Sequence, residues 1–168
     1  MALVLNEEQQ MLRDAARDFL SERAPVSHLR EIRDSGNEDG FSRQLWEEMV
    51  EMGWTAILVP ESFGGLGYGY TGMGIVLEES GRTLTPSPLL GSAMVGVAAL
   101  TLAGSEEQCA RLLPGVAAGE HLLALACDEN SRHEPEQVTT EAEVDDDRFR
   151  MNGQKTAVMD GHVADTFI

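Results

Sequence analysis

Leu112-Leu113-Pro114-Gly115-Val116-Ala117-Ala118-Gly119-Glu120-His121-Leu122-Leu123-Ala124-Leu125-Ala126-Cys127 is the stretch on which the reading of this 168-residue chain turns. Up to Gly119 the sequence has helical character, and Gly119 supplies the stop. From Leu122 the apolar period falls from about 3.6 residues to about 2, the change from helix to strand. Working backwards, Ser105-Glu106-Glu107-Gln108 opens a helix with a capping box, in which the first and fourth side chains bond reciprocally to backbone N–H groups. Leu89 to Ala103 is almost wholly apolar and reads as a buried helix, and Gly74 to Arg82 as another. Ser42 caps a helix with Leu45, Met49 and Met52 on one face, Trp46 and Val50 beside it, and Gly53 as its left-handed stop. Asn6, with Glu7, Glu8 and Gln9 behind it, starts the first helix, whose stripe is Leu12, Ala15, Ala16, Phe19 and Leu20 and which Pro25 ends. His28 to Arg33 predicts a further turn or two before the polar loop 34–40.

Working forwards, Leu122 to Cys127 predicts a strand. Thr139 to Val144 alternates, and Asp145-Asp146-Asp147 turns into Arg148 to Met151. Asn152-Gly153 fits a two-residue turn with positive φ at both positions, which predicts a returning strand over Gln154 to Met159. Thr166-Phe167-Ile168 begins another. The expected fold is α+β: an all-α helical bundle over 1–120, then over 121–168 the start of an antiparallel β-barrel domain. Two hairpins and a stub leave open strand edges, so a downstream part or a second chain is expected to complete them.

Composition narrows the function. Apolar residues make up 42% of the chain, enough for a packed core, and the net charge is -17. Such a field repels a phosphate backbone, so nucleic acid is not an expected partner, and an anionic thioester of CoA would need local donors standing against it. No segment approaches the roughly 18 apolar residues of a membrane span, and Met1 to Gln10 has no secretory pattern, which predicts a cytoplasmic protein without a membrane partner. Cys109 and Cys127 have no metal-ligand spacing and read as buried, reduced thiols; no metal site is expected.

Four motifs then carry a resemblance. Pro60-Glu61-x-x-Gly64-Gly65-x-Gly67, Glu78-Glu79-x-Gly81-Arg82, the Leu112 to Glu120 helix end, and Asn152-Gly153-x-Lys155 with Gly161-x-x-Ala164-Asp165 occur in the order found in acyl-CoA dehydrogenases. The chain resembles the N-terminal and partial middle domains of that family over nearly its whole length. It is most similar to the branch holding the small subunits of pimeloyl-CoA and steroid side-chain dehydrogenases. The resemblance implies an FAD-dependent oxidoreductase that takes an α-proton and a β-hydride from an acyl-CoA with a bulky or dicarboxylic acyl group. It also implies a homodimer or α2β2 assembly with a related subunit, and an electron-accepting flavoprotein as partner. The family's base comes from a C-terminal helical domain outside this sequence, so no catalytic residue is assigned.

By the same resemblance, Leu125, Cys127, Asp128, Arg132, His133, Ala157 and Met159 form the flavin and acyl-pocket wall. Two departures stand out. Asp128 replaces a neutral hydroxyl donor in the family's Thr-Glu-Pro stretch, and an ionised carboxylate only accepts. Ala157-Val158-Met159 replaces the Trp-Ile-Thr or Trp-Ile-Ser that packs on the ring. The alternative function is therefore a non-catalytic, flavin-poor partner that completes a catalytic subunit.

Several features have a plain reading beside a sharper one. Gly67-Tyr68-Gly69-Tyr70-Thr71-Gly72 matches a dinucleotide fingerprint, but it follows a loop rather than a strand and is surrounded by helices, so a structural loop is expected. His133, between Arg132 and Glu134, is a phosphate ligand or carboxylate-orienting group, or a solvated loop residue. Asp145 to Asp147 is a solvated turn rather than a cation site, and Met49, Met52, Met73 and Met94 are core filler.

Overall fold

The computed structural model describes residues 4–146 and 148–168. Helix α1 (Glu7–Arg23) starts at Asn6, whose side chain accepts from the Gln9 N–H at 2.8 Å while Gln9 Oε1 accepts from the Asn6 N–H at 3.1 Å. Of its stripe, Ala16 and Leu20 are fully buried, Leu12 and Phe19 pack at the edge of the core, and Ala15 faces solvent. Helices α2 (Val26–Asp34) and α3 (Arg43–Glu51) follow, the second capped by Ser42 Oγ accepting from the Leu45 N–H at 3.2 Å. Met49 is fully buried, whereas Met52 is outside the core and exposed. Gly53 has φ 76°, the left-handed stop, and leads into a 3₁₀ turn at Trp54–Ala56.

The glycine-rich motif folds as a 3₁₀ turn (Glu61–Phe63) and a loop pressed onto the chain before it. A Cβ on Gly65 would lie 1.9 Å from the Val59 carbonyl oxygen, so no side chain fits there. Helix α4 (Tyr70–Thr83) begins within the Gly67 to Gly72 stretch, which is a loop-to-helix junction with no strand before it. A π-helical stretch (Leu89–Gly96) runs into α5 (Val97–Ala103), and together they form the expected apolar helix. Helix α6 (Glu106–Ala117) opens with the Ser105–Gln108 capping box.

A helix end leaves its last carbonyls without intrahelical partners. At the end of α6 the Ala117 carbonyl takes a bond from a distant side chain, Thr55 Oγ1 at 2.7 Å, and just past the cap the Gly119 carbonyl takes one from Trp46 Nε1 at 2.9 Å. Gly119 itself is left-handed (φ 70°) and pressed against α3.

Strand β1 (Leu123–Ala124) follows, and pairs in parallel with β4 (Thr166–Phe167), the only parallel pairing among the described residues. Strands β2 (Glu141–Asp145) and β3 (Arg148–Asn152) form the antiparallel hairpin, with Val144 opposite Phe149 and Ala142 opposite Met151 on one face. Asp146 takes φ 54° in the turn; Asp147 lies outside the described residues. The returning strand over Gln154 to Met159 does not form. Asn152 stays in the ladder opposite Glu141, and Gly153, without positive φ, sits so close to Thr140 that a Cβ would meet Thr140 Oγ1 at 2.3 Å. The chain after Gly153 therefore joins no ladder, and Ala157 at φ 51° breaks any extended run.

Two apolar clusters hold these parts together. One unites Leu20, Trp46, Met49, Trp54 and Met73 with Leu122; the other unites Val59, Val97, Leu113 and Val116 with Leu123 and the partly buried Ile168. Phe19 meets Trp54 edge-on at 5.3 Å in the first. The β-segment thus shares both clusters with the helices. Helical elements followed by the beginning of a β-region, with no closed barrel among the described residues, is the α+β order read from the sequence. No helix among the described residues is long and apolar enough to cross a membrane.

Candidate functional site

The segment after β1 is organised by a residue that sequence reasoning passed over. Glu129 is buried, and its carboxylate accepts from the N–H of Thr139 at 2.6 Å, the N–H of Thr140 at 3.1 Å and Lys155 Nζ at 2.8 Å, with the Thr139 hydroxyl as a further donor. Lys155 foremost, then the two threonines, holds the Glu129 carboxyl well below the usual carboxylate range against the opposing effect of burial. Lys155 also donates to the Cys127 carbonyl at 3.3 Å. One carboxylate thereby fixes 127–129, the entry to β2 and the segment after β3. The signal available in the sequence was the pairing of an acid after Asp128 with the motif lysine, but nothing local links positions so far apart.

Thr156 N–H donates to the Asp128 carbonyl and Thr156 Oγ1 to the Asn130 carbonyl, both at 2.8 Å, which brings Ala157 beside Asp128. His133 Nδ1 lies 3.0 Å from Asp128 Oδ2, and the Glu134 N–H donates to Asp128 Oδ1 at 3.1 Å. The His133 hydrogen bond, then its charge, the Glu134 N–H and the Cys127 thiol lower the Asp128 carboxyl below its ordinary value. Cys127, partly rather than fully buried, completes a cluster in which one ligand atom each of Cys127, Asp128 and His133 lies within 4.8 Å of the others. Those contacts are internal to the loop, and the short spacing follows from the Asp128–His133 hydrogen bond.

Of the other expected wall residues, Leu125 is 37% exposed, Arg132 and Ala157 are exposed, and Met159 is 51% exposed. The structure brings Cys127, Asp128, His133 and Ala157 to one place. Met159 lines a separate feature, a cleft of about 370 Å³ between the helices and the segment 159–162, with Leu77, Leu84 and Leu90 on its opposite wall.

A flavin ring presents hydrogen-bonding edges and flat apolar faces. The loop does not match it on this chain alone: Asp128 is an acceptor already engaged by its own loop, the Glu134 N–H is spent on it, and Ala157 offers no aromatic surface.

The chain is 34% identical over 167 residues to the (2S)-methylsuccinyl-CoA dehydrogenase of Cereibacter sphaeroides, covering 98% of this chain and 29% of that protein. Among solved structures it superposes on the acyl-CoA dehydrogenase of Geobacillus kaustophilus with a TM-score of 0.84 at 30% identity, covering 100% of this chain and 44% of that one. It also superposes on the ChsE4-ChsE5 complex of Mycobacterium tuberculosis with a TM-score of 0.85 at 28% identity, covering 99% of this chain and 44% of that one. The chain thus spans 29% to 44% of the length of these relatives. The family described as "Acyl-CoA dehydrogenase, N-terminal domain" matches residues 6–120, and with the relatives above this establishes that the chain belongs to the acyl-CoA dehydrogenase family.

Proposed function

We propose that the chain is part of an FAD-dependent acyl-CoA dehydrogenase that carries out α,β-dehydrogenation of a CoA thioester. On this reading residues 1–120 are its N-terminal helical domain and 121–168 the beginning of its middle domain. The observation that carries the reading is the cleft between α4, the π-helical stretch and Met159, a mainly apolar slot that shares Met159 with the expected flavin wall. The chain's own work is binding: Leu77, Leu84, Leu90 and Met159 exclude water from an acyl group, and the Glu129–Lys155 pair holds the neighbouring loop in one conformation. Oxidation itself belongs to the cofactor, held by an assembly to which this chain contributes the wall of Leu125, Cys127, Asp128, Arg132, His133, Ala157 and Met159.

A second reading is favoured by one observation, the engagement of Asp128 by His133 and Glu134 in place of a hydroxyl donor. Here the chain is a flavin-poor subunit that completes a catalytic partner, in a homodimer-like or α2β2 arrangement. A solved relative that is itself a two-component complex supports this. An electron-accepting flavoprotein would reoxidise either form.

The two separate by colour. Full-length protein that is yellow when purified alone, with a flavin absorption band, supports the first reading; colour only after co-purification with its partner subunit supports the second. Colourless material in both cases overturns the flavin-dependent reading.

A further inference from the structure

The cleft at Met159 is lined by two carboxylates with opposite circumstances. Asp39 is held bidentately by Arg43, with both oxygens 2.9 Å from guanidinium nitrogens. The Asp160 carboxylate has no hydrogen-bond donor among the described residues, and burial pushes its pKa up from the ordinary value, with only the charge of His162 acting the other way. The other polar groups of the wall are largely spoken for. Ser80 Oγ donates to the Val76 carbonyl at 2.9 Å, Thr85 Oγ1 shares a hydrogen bond with Thr83 at 2.7 Å, and His162 Nε2 lies 3.0 Å from the Asp39 carbonyl.

The Asp160 carboxylate is also placed by its surroundings. Asp160 takes φ 55°, a conformation that aspartate tolerates better than most residues, and its Oδ2 lies over Gly91 of the π-helical stretch, where a Cβ would come within 2.4 Å of it. The absent side chain at Gly91 is what gives the carboxylate its seat. An ionised carboxylate accepts and cannot donate, and in a partly dehydrated cleft a second negative charge beside it is disfavoured.

We propose that Asp160 is a specificity-determining residue of the cleft, selecting acyl groups that carry an uncharged hydrogen-bond donor such as a hydroxyl and rejecting those that end in a carboxylate. The inference rests on the reading of this cleft as the acyl-binding part of a dehydrogenase. It runs against a dicarboxylic acyl group, one of the two classes the sequence resemblance implied.

The test is titration calorimetry on the full-length assembled enzyme with three thioesters of equal chain length: octanoyl-CoA, 8-hydroxyoctanoyl-CoA and the mono-CoA ester of suberic acid. Wild type is expected to bind the hydroxylated ester about tenfold more tightly than the suberyl ester, the size of one charge-assisted hydrogen bond. Asp160→Asn, which keeps the left-handed backbone accessible, is expected to bring the affinities for the hydroxylated and suberyl esters within about twofold of each other. Equal wild-type affinity for the hydroxylated and suberyl esters, or an unaltered ratio in Asp160→Asn, overturns the inference alone. Failure of all three to bind wild type overturns the acyl-binding reading and the inference with it.

Discussion

The indole N–H of Trp46 donates to the carbonyl of Gly119 at 2.9 Å, tying α3 to the residue at which helix gives way to strand. A Cβ on Gly119 would lie 2.2 Å from Val50 Cγ2, and φ at this position is 70°. Gly119→Ala therefore meets a conformational penalty and an overpacked contact at once. It is expected to destabilise the protein by about 2 to 4 kcal/mol in urea unfolding. A variant within experimental error of wild type would show that α3 and the α6 end can move apart freely.

Glu129 predicts an acid-sensitive step. Its folded carboxyl is depressed relative to the unfolded chain, so its contribution to stability is fully present above the ordinary carboxylate range and is lost as pH falls through that range and below it. Thermal unfolding of wild type and Glu129→Gln should differ most near neutrality and converge as the pH is lowered below about 4. A difference that grows towards acid pH is incompatible with the Lys155 and threonine contacts being what the carboxylate gains on folding.

On the flavin-dependent reading, Asp128→Thr supplies a hydroxyl donor to the cofactor-facing loop and removes the carboxylate that holds His133 and Glu134. Retention of FAD by the assembled protein is expected to rise about tenfold, measured by equilibrium dialysis. Unchanged or weaker retention would show that the carboxylate is not what limits flavin binding.

Glu79 lies between α1 and α4 with its side chain 1% exposed, taking two hydrogen bonds from Arg17 at 2.8 and 3.1 Å and one contact from Arg82 at 3.1 Å. The Arg17 hydrogen bonds lead the lowering of its carboxyl. Both arginines are about half exposed, so water offsets part of the loss when the charge is removed. Glu79→Gln is expected to cost about 1 to 2 kcal/mol by thermal unfolding, and Glu78→Gln, on the exposed side of the same helix, close to nothing.

The helical part was legible because its signals are local. Asn6 with Gln9, Ser42, and Ser105 with Gln108 each mark a helix start within one turn of chain, and each cap is present in the structure. The hairpin was legible for the same reason, through alternation and a polar turn. What failed was the continuation past Asn152, where turn chemistry suited a reversal but Gly153 packed on Thr140 and Lys155 was drawn to Glu129. The parallel pairing of β1 with β4 was equally invisible, since Leu122 and Asp165, joined at 2.8 Å through the Asp165 carboxylate, are 43 positions apart. At the site, the sequence grouped Cys127, Asp128, His133 and Ala157, and the structure places them side by side. The free carboxylate at Asp160 emerged only when the cleft brought it against Gly91.

The hairpin turns Val144, Phe149 and Met151 outward from a single face, each more than 70% exposed, on a protein whose formal charge is -17. Oily surface of that kind adheres to its own likeness unless something holds copies at a distance, and here mutual repulsion between acidic molecules supplies that distance. Dissolved salt shortens the reach of this repulsion to about 10 Å at 0.1 M, so raising the ionic strength is expected to favour self-association through the hairpin face until another surface lies across it.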